Sequence, residues 1–340
     1  MDVYNANTGA WTTTNISVAR DRLAATSLPA KALAFFAGGF TDNSGFRKSN
    51  VIDIFNGLTG AWTTALLSGT ISCAVATSLP ALDLAFFTKF GCEPSRWSMC
   101  TKFDVYSTSS VNVSTVQLPE GYGSRYDYEF AVTSLHEQNL VFFARQGSPD
   151  DEPRPPSPPS TPSPTPGPPP VQPIPPRRML PGVAVYNAKT GNFSLTNRSR
   201  PGPRFWISAT SLPAQGLALF FSSDRYYGSE SSYTVVDLYN ASSGTWTNMS
   251  LSTMRQHASL VSLPDQGLVL IGPGTISTYN PGQDSSSLVH IYDCSGCPVF
   301  IQPATPAATP ATPASKSQLR YDTDIHYVLY FCHMFPLNAR

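Results

Sequence analysis

The sequence predicts an all-β protein assembled from repeated four-stranded sheets. Two phrases recur along the chain and set a period. The residues between them carry strand and turn chemistry with no helical pattern. The first phrase is Asp2-Val-Tyr-Asn5. It returns as Asp53-Ile-Phe-Asn56, Asp104-Val-Tyr106, Val183-Ala-Val-Tyr-Asn187, Asp237-Leu-Tyr-Asn240 and Val289-His-Ile-Tyr292. The second is Ala25-Thr-Ser-Leu-Pro29, repeated as Ala76-Thr-Ser-Leu-Pro80, Val132-Thr-Ser-Leu135, Ala209-Thr-Ser-Leu-Pro213 and Val261-Ser-Leu-Pro264. Asp2 to Asp53 and Asp53 to Asp104 are each 51 residues, and Ala184 to Asp237 is 53. The step from Asp104 to Ala184 is 80, and removing its proline-rich stretch restores about 50.

Each unit reads as four strands. Strand a is the Ala-Thr-Ser-Leu segment. Strand b is an apolar run, such as Leu33 to Phe36 or Leu84 to Phe87. Because b is apolar at consecutive positions, both its faces are expected to be buried between neighbouring sheets. Strand c carries the Asp-x-Tyr, and strand d the Trp. The Asn-x-x-x-Gly turn between c and d, as in Asn5 to Gly9, uses residues that tolerate positive φ. Sheets repeated in this way pack face to face around an axis, as in a β-propeller. Large side chains such as Trp11, Trp62 and Trp246 are expected to fill the layers between blades.

Five a-b pairs and six c strands are visible, so the expected architecture is five full four-stranded blades plus a partial sixth. The propeller should occupy residues 1–302. Residues 149–178 form a proline-rich loop insertion between strands b and c of the third unit, extended and with no core-forming side chains. Residues 303–318 read as an Ala/Thr/Pro-rich linker, and 319–340 as a tail holding a candidate closing strand at Ile325 to Phe335.

These units resemble kelch repeats. That family pairs a diglycine after strand b with a Tyr and Trp seven positions apart in c and d. Tyr4 and Trp11, Phe55 and Trp62, Tyr186 and Phe193, and Tyr239 and Trp246 keep the spacing. The diglycine survives as Gly38-Gly39 and decays elsewhere, for example to Phe90-Gly91 and Ser222-Ser223. A family-like Arg precedes strand a at Arg20, Arg204 and Arg255. The resemblance implies a galactose-oxidase/kelch type of propeller with degenerate repeats.

Function is constrained from several sides. Lys plus Arg number 22 and Asp plus Glu 22, so there is no basic excess to neutralise nucleic-acid phosphates. No segment is long and apolar enough to span a bilayer. No nucleophile, P-loop, zinc-protease or dinucleotide motif occurs, and the five His are scattered. The kelch architecture resembles that of galactose oxidase, a copper enzyme, yet no Tyr-Cys-His copper set is recognisable. We therefore expect no catalytic residues, no metal and no cofactor. Cys92 and Cys100, and Cys294 and Cys297, are each close enough for a local disulfide in a secreted protein, and free thiols are the cytosolic alternative. Six Asn-x-Ser sequons, at Asn15, Asn112, Asn192, Asn197, Asn240 and Asn248, favour an extracellular glycoprotein over a cytoplasmic protein.

The expected function is non-enzymatic binding of a protein or glycan partner. The rival is a carbohydrate-binding or degenerate oxidase/glycan-processing enzyme of the galactose-oxidase type. With strand a innermost, the d-a and b-c connections emerge at one end of the ring, and they vary most. Two places after the family-like Arg, the residues expected to line the axial mouth at that end are Arg22, Cys73, Glu129, Trp206 and His257. Kelch domains that bind peptides often contact ligand carboxylates through an Arg at this position, which here only Arg22 retains.

Overall fold

The computed structural model describes residues 1–42, 47–71, 75–88, 102–119, 122, 130–145, 182–196, 205–224, 233–251, 258–272 and 289–294. Within these residues the fold is all β, with 3-10 turns as its helical element. Twenty-one strands form six antiparallel sheets in chain order. The first is a hairpin, β1 (Asp2–Asn5) with β2 (Ala10–Thr13). Four sheets of four strands follow. Blade 1 comprises β3 (Ala24–Leu28), β4 (Leu33–Ala37), β5 (Ser49–Asn56) and β6 (Trp62–Ile71). Blade 2 comprises β7 (Ala76–Leu79), β8 (Leu84–Thr88), β9 (Lys102–Ser107) and β10 (Asn112–Gln117). Blade 3 comprises β11 (Phe130–Leu135), β12 (Leu140–Arg145), β13 (Val183–Asn187) and β14 (Asn192–Thr196). Blade 4 comprises β15 (Phe205–Leu212), β16 (Leu217–Asp224), β17 (Tyr233–Asn240) and β18 (Thr245–Ser250).

Blade 5 contributes three described strands, β19 (Leu260–Leu263), β20 (Leu268–Ile271) and β21 (His290–Asp293). The segment that would supply its fourth strand, the linker and the C-terminal tail lie outside the described residues. In blade 3, β12 pairs directly with β13, with Leu140 opposite Asn187, although residues 146–182 separate them in sequence.

The inner strands β3, β7, β11, β15 and β19 lie side by side in that order. The repeated Thr and Ser face one another across these seams. Thr77 donates to Ser134 at 3.0 Å, Ser134 to the Ser78 carbonyl at 2.7 Å, and Thr210 to Ser262 at 3.1 Å. A strand crowded by two neighbours has room for a short hydroxyl side chain whose polar atom finds a partner across the gap.

Strand b behaves as its composition demands. Phe86 and Phe143 share the apolar layer between blades 2 and 3, while their chain neighbours Phe87 and Phe142 enter the layers on the opposite faces. Successive residues on a strand point to opposite faces. A Phe-Phe pair therefore serves two layers, and each of these four rings is wholly buried. The Tyr or Phe of strand c leans on the preceding blade. Phe35 meets Tyr106 at 5.4 Å between ring centroids, Phe86 meets Tyr186 at 6.2 Å and Phe142 meets Tyr239 at 5.1 Å.

The Trp expectation needs one correction. Trp62 packs on Phe55 at 5.0 Å and Phe36 at 5.9 Å, and its indole N–H donates to Thr14 of the hairpin at 2.9 Å. Trp246 packs likewise on Tyr239 and Phe220, at 5.2 and 5.7 Å. Trp11 stacks on Tyr4 at 5.0 Å but stays 69% exposed, and Tyr4 50%. In the described residues the hairpin has no strand b beside β1, so its aromatic pair meets no apolar layer.

Candidate ligand-binding face

The two ends of the stack of blades are built differently. At one end all five a-b turns contain four residues: 29–32, 80–83, 136–139, 213–216 and 264–267. The last residue of each adopts positive φ: Ala32 52°, Asp83 58°, Asn139 57°, Gly216 65° and Gly267 65°. The carbonyl of that residue then accepts the N–H of the first residue of the c-d turn. The donors are Gly57, Thr108, Ala188, Ala241 and Cys294, at 2.7 to 3.1 Å. In four c-d turns an Asn carboxamide accepts the N–H groups two and three residues ahead. Asn56, for example, takes those of Leu58 and Thr59 at 2.9 and 3.1 Å. Asn5, Asn187 and Asn240 do the same. One pattern of hydrogen bonds, repeated from blade to blade, leaves this end uniform.

The other end carries the d-a and b-c connections. The latter range from eight residues (225–232) to thirty-seven (146–182). Their bases are pinned by buried polar groups. The Asp of the recurring strand-c phrase is buried in three blades, at 1% exposure or less for Asp53, Asp104 and Asp237. Asp53 forms an ion pair with Arg20 and accepts the Ser17 N–H at 3.0 Å. Arg20 also donates to Ser49 Oγ at 2.9 Å and the Val51 carbonyl at 2.8 Å, so a single guanidinium ties the incoming connection to strand c. Burial pulls the Arg20 pKa down, and the Asp53 charge pushes it back up. Asp104 holds the far end of blade 1's last strand, β6, in a similar way. It accepts the Ser68 N–H at 2.8 Å, Ser68 Oγ at 2.9 Å and Thr115 Oγ1 at 2.7 Å.

Blade 3 has Ala184 where blades 1, 2 and 4 have Asp, and a different group takes over. Tyr122, on the connection between β10 and β11, is wholly buried. Its hydroxyl donates to the Phe143 carbonyl and receives the Ala184 N–H at 3.0 Å, with the Gly182 carbonyl 3.2 Å away. A phenol reaching across from the connection thus replaces a carboxylate reaching out from strand c.

Gly38-Gly39 belongs to the same end. Both residues have positive φ, 68° and 92°. A Cβ on Gly38 would collide with Ile71, and one on Gly39 with the Asp21 carbonyl. Glycine is required where the b-c connection crosses the end of strand d and the d-a connection at contact distance.

Of the five residues expected at the axial mouth, Arg22 is the one whose side chain is described. It has φ 52°, lies just before β3, and is 45% exposed. Its guanidinium sits 5.5 Å from the Phe40 ring centroid, with Asp21 at 3.8 Å. Phe40 is on the b-c connection and bridges Asp21, so the cation rests where d-a and b-c connections meet. Trp206 lies on β15, inside the bulge between Phe205 and Ser208. Cys73, Glu129 and His257 lie outside the described residues. Cys92, Cys100 and Cys297 also lie outside them, and Cys294 carries a free thiol whose pKa burial raises to about 11.

Sequence reasoning used the strand-c Asp as a marker of register and missed its work as a staple. The signal was available in the recurrence of a charged residue within an apolar strand. Tyr122 has no counterpart in the repeat, and no sequence pattern singles it out.

Among the described residues no three His, Cys, Asp or Glu side chains are grouped to hold a metal ion. No described helix is long and apolar enough to cross a membrane. No protein-family model and no curated protein matches the chain. Solved structures do. A structure of YjhT aligns with a TM-score of 0.51 and 12% identity over 84% of this chain and 85% of that one. A fungal alcohol oxidase of the AA5 family, in complex with copper, gives 0.58 and 12% over 89% of this chain. U3-55K gives 0.52 and 11% over 85% of this chain and 73% of that one. The chain is a β-propeller. The propeller spans 58% of the oxidase's length, and at such identities the likeness concerns fold.

Proposed function

We propose that this propeller is a degenerate kelch-type, non-enzymatic binding module whose partner, a protein, docks on the end carrying the d-a and b-c connections. The observation that supports this reading is the contrast between the ends. Every a-b turn has four residues and the same cap, whereas the b-c connections range from eight residues to thirty-seven. Length and sequence variation concentrated on a pinned scaffold is the usual arrangement of a recognition surface. Arg22, partly exposed beside Phe40, supplies a cation and an aromatic ring there, and Arg and Trp are the residue types richest in interface hot spots.

The test is site-specific photo-crosslinking of the full chain in the cells that make it. A photoreactive phenylalanine replaces Arg22 or Trp206 at one end, and Leu58 or Lys189 at the other. Adducts from positions 22 and 206 with a common partner support the reading. In that case Arg22→Ala and Trp206→Ala should each weaken binding of the captured partner by more than about 1 kcal/mol. Adducts from positions 58 and 189 alone overturn it.

A second reading, oxidase or glycan-processing chemistry, draws on the likeness to the copper-bound alcohol oxidase. Among the described residues no three His, Cys, Asp or Glu side chains are grouped to hold a metal ion. Peroxide production from galactose or simple alcohols, assayed after incubation with copper, decides between the two readings.

A further inference from the structure

The fold separates five of the six Asn-x-Ser sequons into different environments. Asn112 is the first residue of β10, Asn192 the first of β14, and Asn248 lies within β18. Each of these is the outermost strand of its sheet. Asn15 follows β2, the last strand of the hairpin. All four Asn side chains are exposed, as are the Ser residues two places on, Ser17, Ser114, Ser194 and Ser250. Among the described residues none of the four carboxamides makes a hydrogen bond. Asn240 is different. It is half-buried, and its Oδ1 accepts the Ser242 N–H at 2.9 Å, the Ser242 hydroxyl at 2.6 Å and the Ser243 N–H at 3.4 Å. That carboxamide is committed through Oδ1 to shaping the c-d turn, and Asn240 is less exposed than the other four. Asn197 lies outside the described residues.

We propose that Asn15, Asn112, Asn192 and Asn248 are N-glycan acceptors and that Asn240 is not. The acceptor chemistry needs an Asn amide two residues before a Ser or Thr hydroxyl, and the folded product must leave the glycan in water. An outer strand meets both demands. Its Asn and Ser acceptor side chains lie on the exposed positions of the strand, and among the described residues no further strand of the sheet lies beyond it. The placement also has a physical use. The last strand of a blade exposes unpaired backbone N–H and C=O groups that invite edge-to-edge association, and a bulky hydrated glycan rooted on that strand blocks the approach. Asn112 and Asn192 open their strands beside the uniform c-d turns, at the end opposite Arg22, so their glycans leave the proposed docking face clear. The assignment stands whether or not that face binds a protein.

The test uses the full chain recovered from the cells that make it. Treatment with peptide-N-glycosidase in heavy-oxygen water converts each occupied Asn to labelled Asp, which peptide mass spectrometry locates. Label at two or more of positions 15, 112, 192 and 248, with position 240 unlabelled, is the expected result. Ser114→Ala and Ser194→Ala keep both Asn residues in place, and each should remove one glycan's mass from the intact protein. A chain that shows no mass change on enzyme treatment overturns the proposal. So does label at one or none of the four positions, or label at Asn240 equal to theirs.

Discussion

Removing one half of the Arg20–Asp53 pair should cost far more than removing both. Arg20 and Asp53 side chains are 0% and 1% exposed, so each charge depends on the other for its solvation. Asp53→Ala leaves a buried guanidinium whose remaining partners are Ser49 Oγ and the Val51 carbonyl, with Nε unsatisfied. Arg20→Ala leaves a buried carboxylate with the Ser17 N–H. Breaking a buried pair in this way costs about 3 to 5 kcal/mol. The double variant Arg20→Met/Asp53→Leu carries no buried charge. The Val51 carbonyl keeps the Gly38 N–H and Ser49 Oγ keeps the Val51 N–H, so its loss is the hydrogen bond of the Ser17 N–H and one bond each at Val51 and Ser49, about 1 to 3 kcal/mol in all. The expected coupling between the two sites is therefore about 3 kcal/mol or more, of the size seen only for residues in contact. Urea unfolding followed by tryptophan fluorescence measures it, with midpoints compared at a common slope. Two single variants that each lose less than about 1 kcal/mol, or a double variant that loses their sum, would refute the argument.

Two further outcomes follow from the same packing. Trp62→Ala should lose about 3 kcal/mol or more by urea unfolding, since it empties a site between two aromatic rings and the hairpin, whereas Trp11→Ala should stay within about 0.5 kcal/mol. Equal losses would show that another segment covers Trp11. Burial lowers the pKa of His136 from the usual 6.5, with Glu137 opposing. As pH falls, the unfolded chain therefore binds this proton first, and stability is lost progressively below about pH 6.5. His136→Gln should flatten the thermal-midpoint profile between pH 7 and 5, and an unchanged slope would remove His136 as the cause.

Most of the fold was legible because its determinants are local and repeated. The Phe-Phe pairs announce a strand buried on both faces, and Phe86, Phe87, Phe142 and Phe143 are wholly buried on alternate sides. The Asn-x-x-x-Gly turns announce their own geometry, and Gly9, Gly60, Gly191 and Gly244 all have positive φ. Burial of Trp11 was misjudged because it depends on a neighbouring layer, which a repeat unit read alone takes for granted. Identity of residue type carried over from Trp62 to Trp11, but environment did not. The candidate face was legible only in outline. Its side chains come from connections of unequal length, where no period tells which residues meet. That Arg22 rests on Phe40 depends on Asp21 bridging to the b-c connection, and nothing in the spacing of residues 21, 22 and 40 states it.

The buried staples explain how one end of the propeller tolerates such variation. A loop of arbitrary length disturbs a packed core unless its ends are held independently of its middle. Asp53 with Arg20 and Tyr122 with Ala184 each fix a d-a connection to strand c of the blade it enters, and Asp104, through Ser68, fixes the end of strand d of blade 1 to strand c of blade 2. The chemistry differs: ion pair, carboxylate to backbone, phenol to backbone. The position is the same each time. What the fold requires there is a satisfied polar bridge between connection and blade, not a particular residue. Repeats that share this requirement can diverge in sequence, as the exchange of Asp for Ala184 shows, while the inner strands keep their register and the connections above them remain free to change.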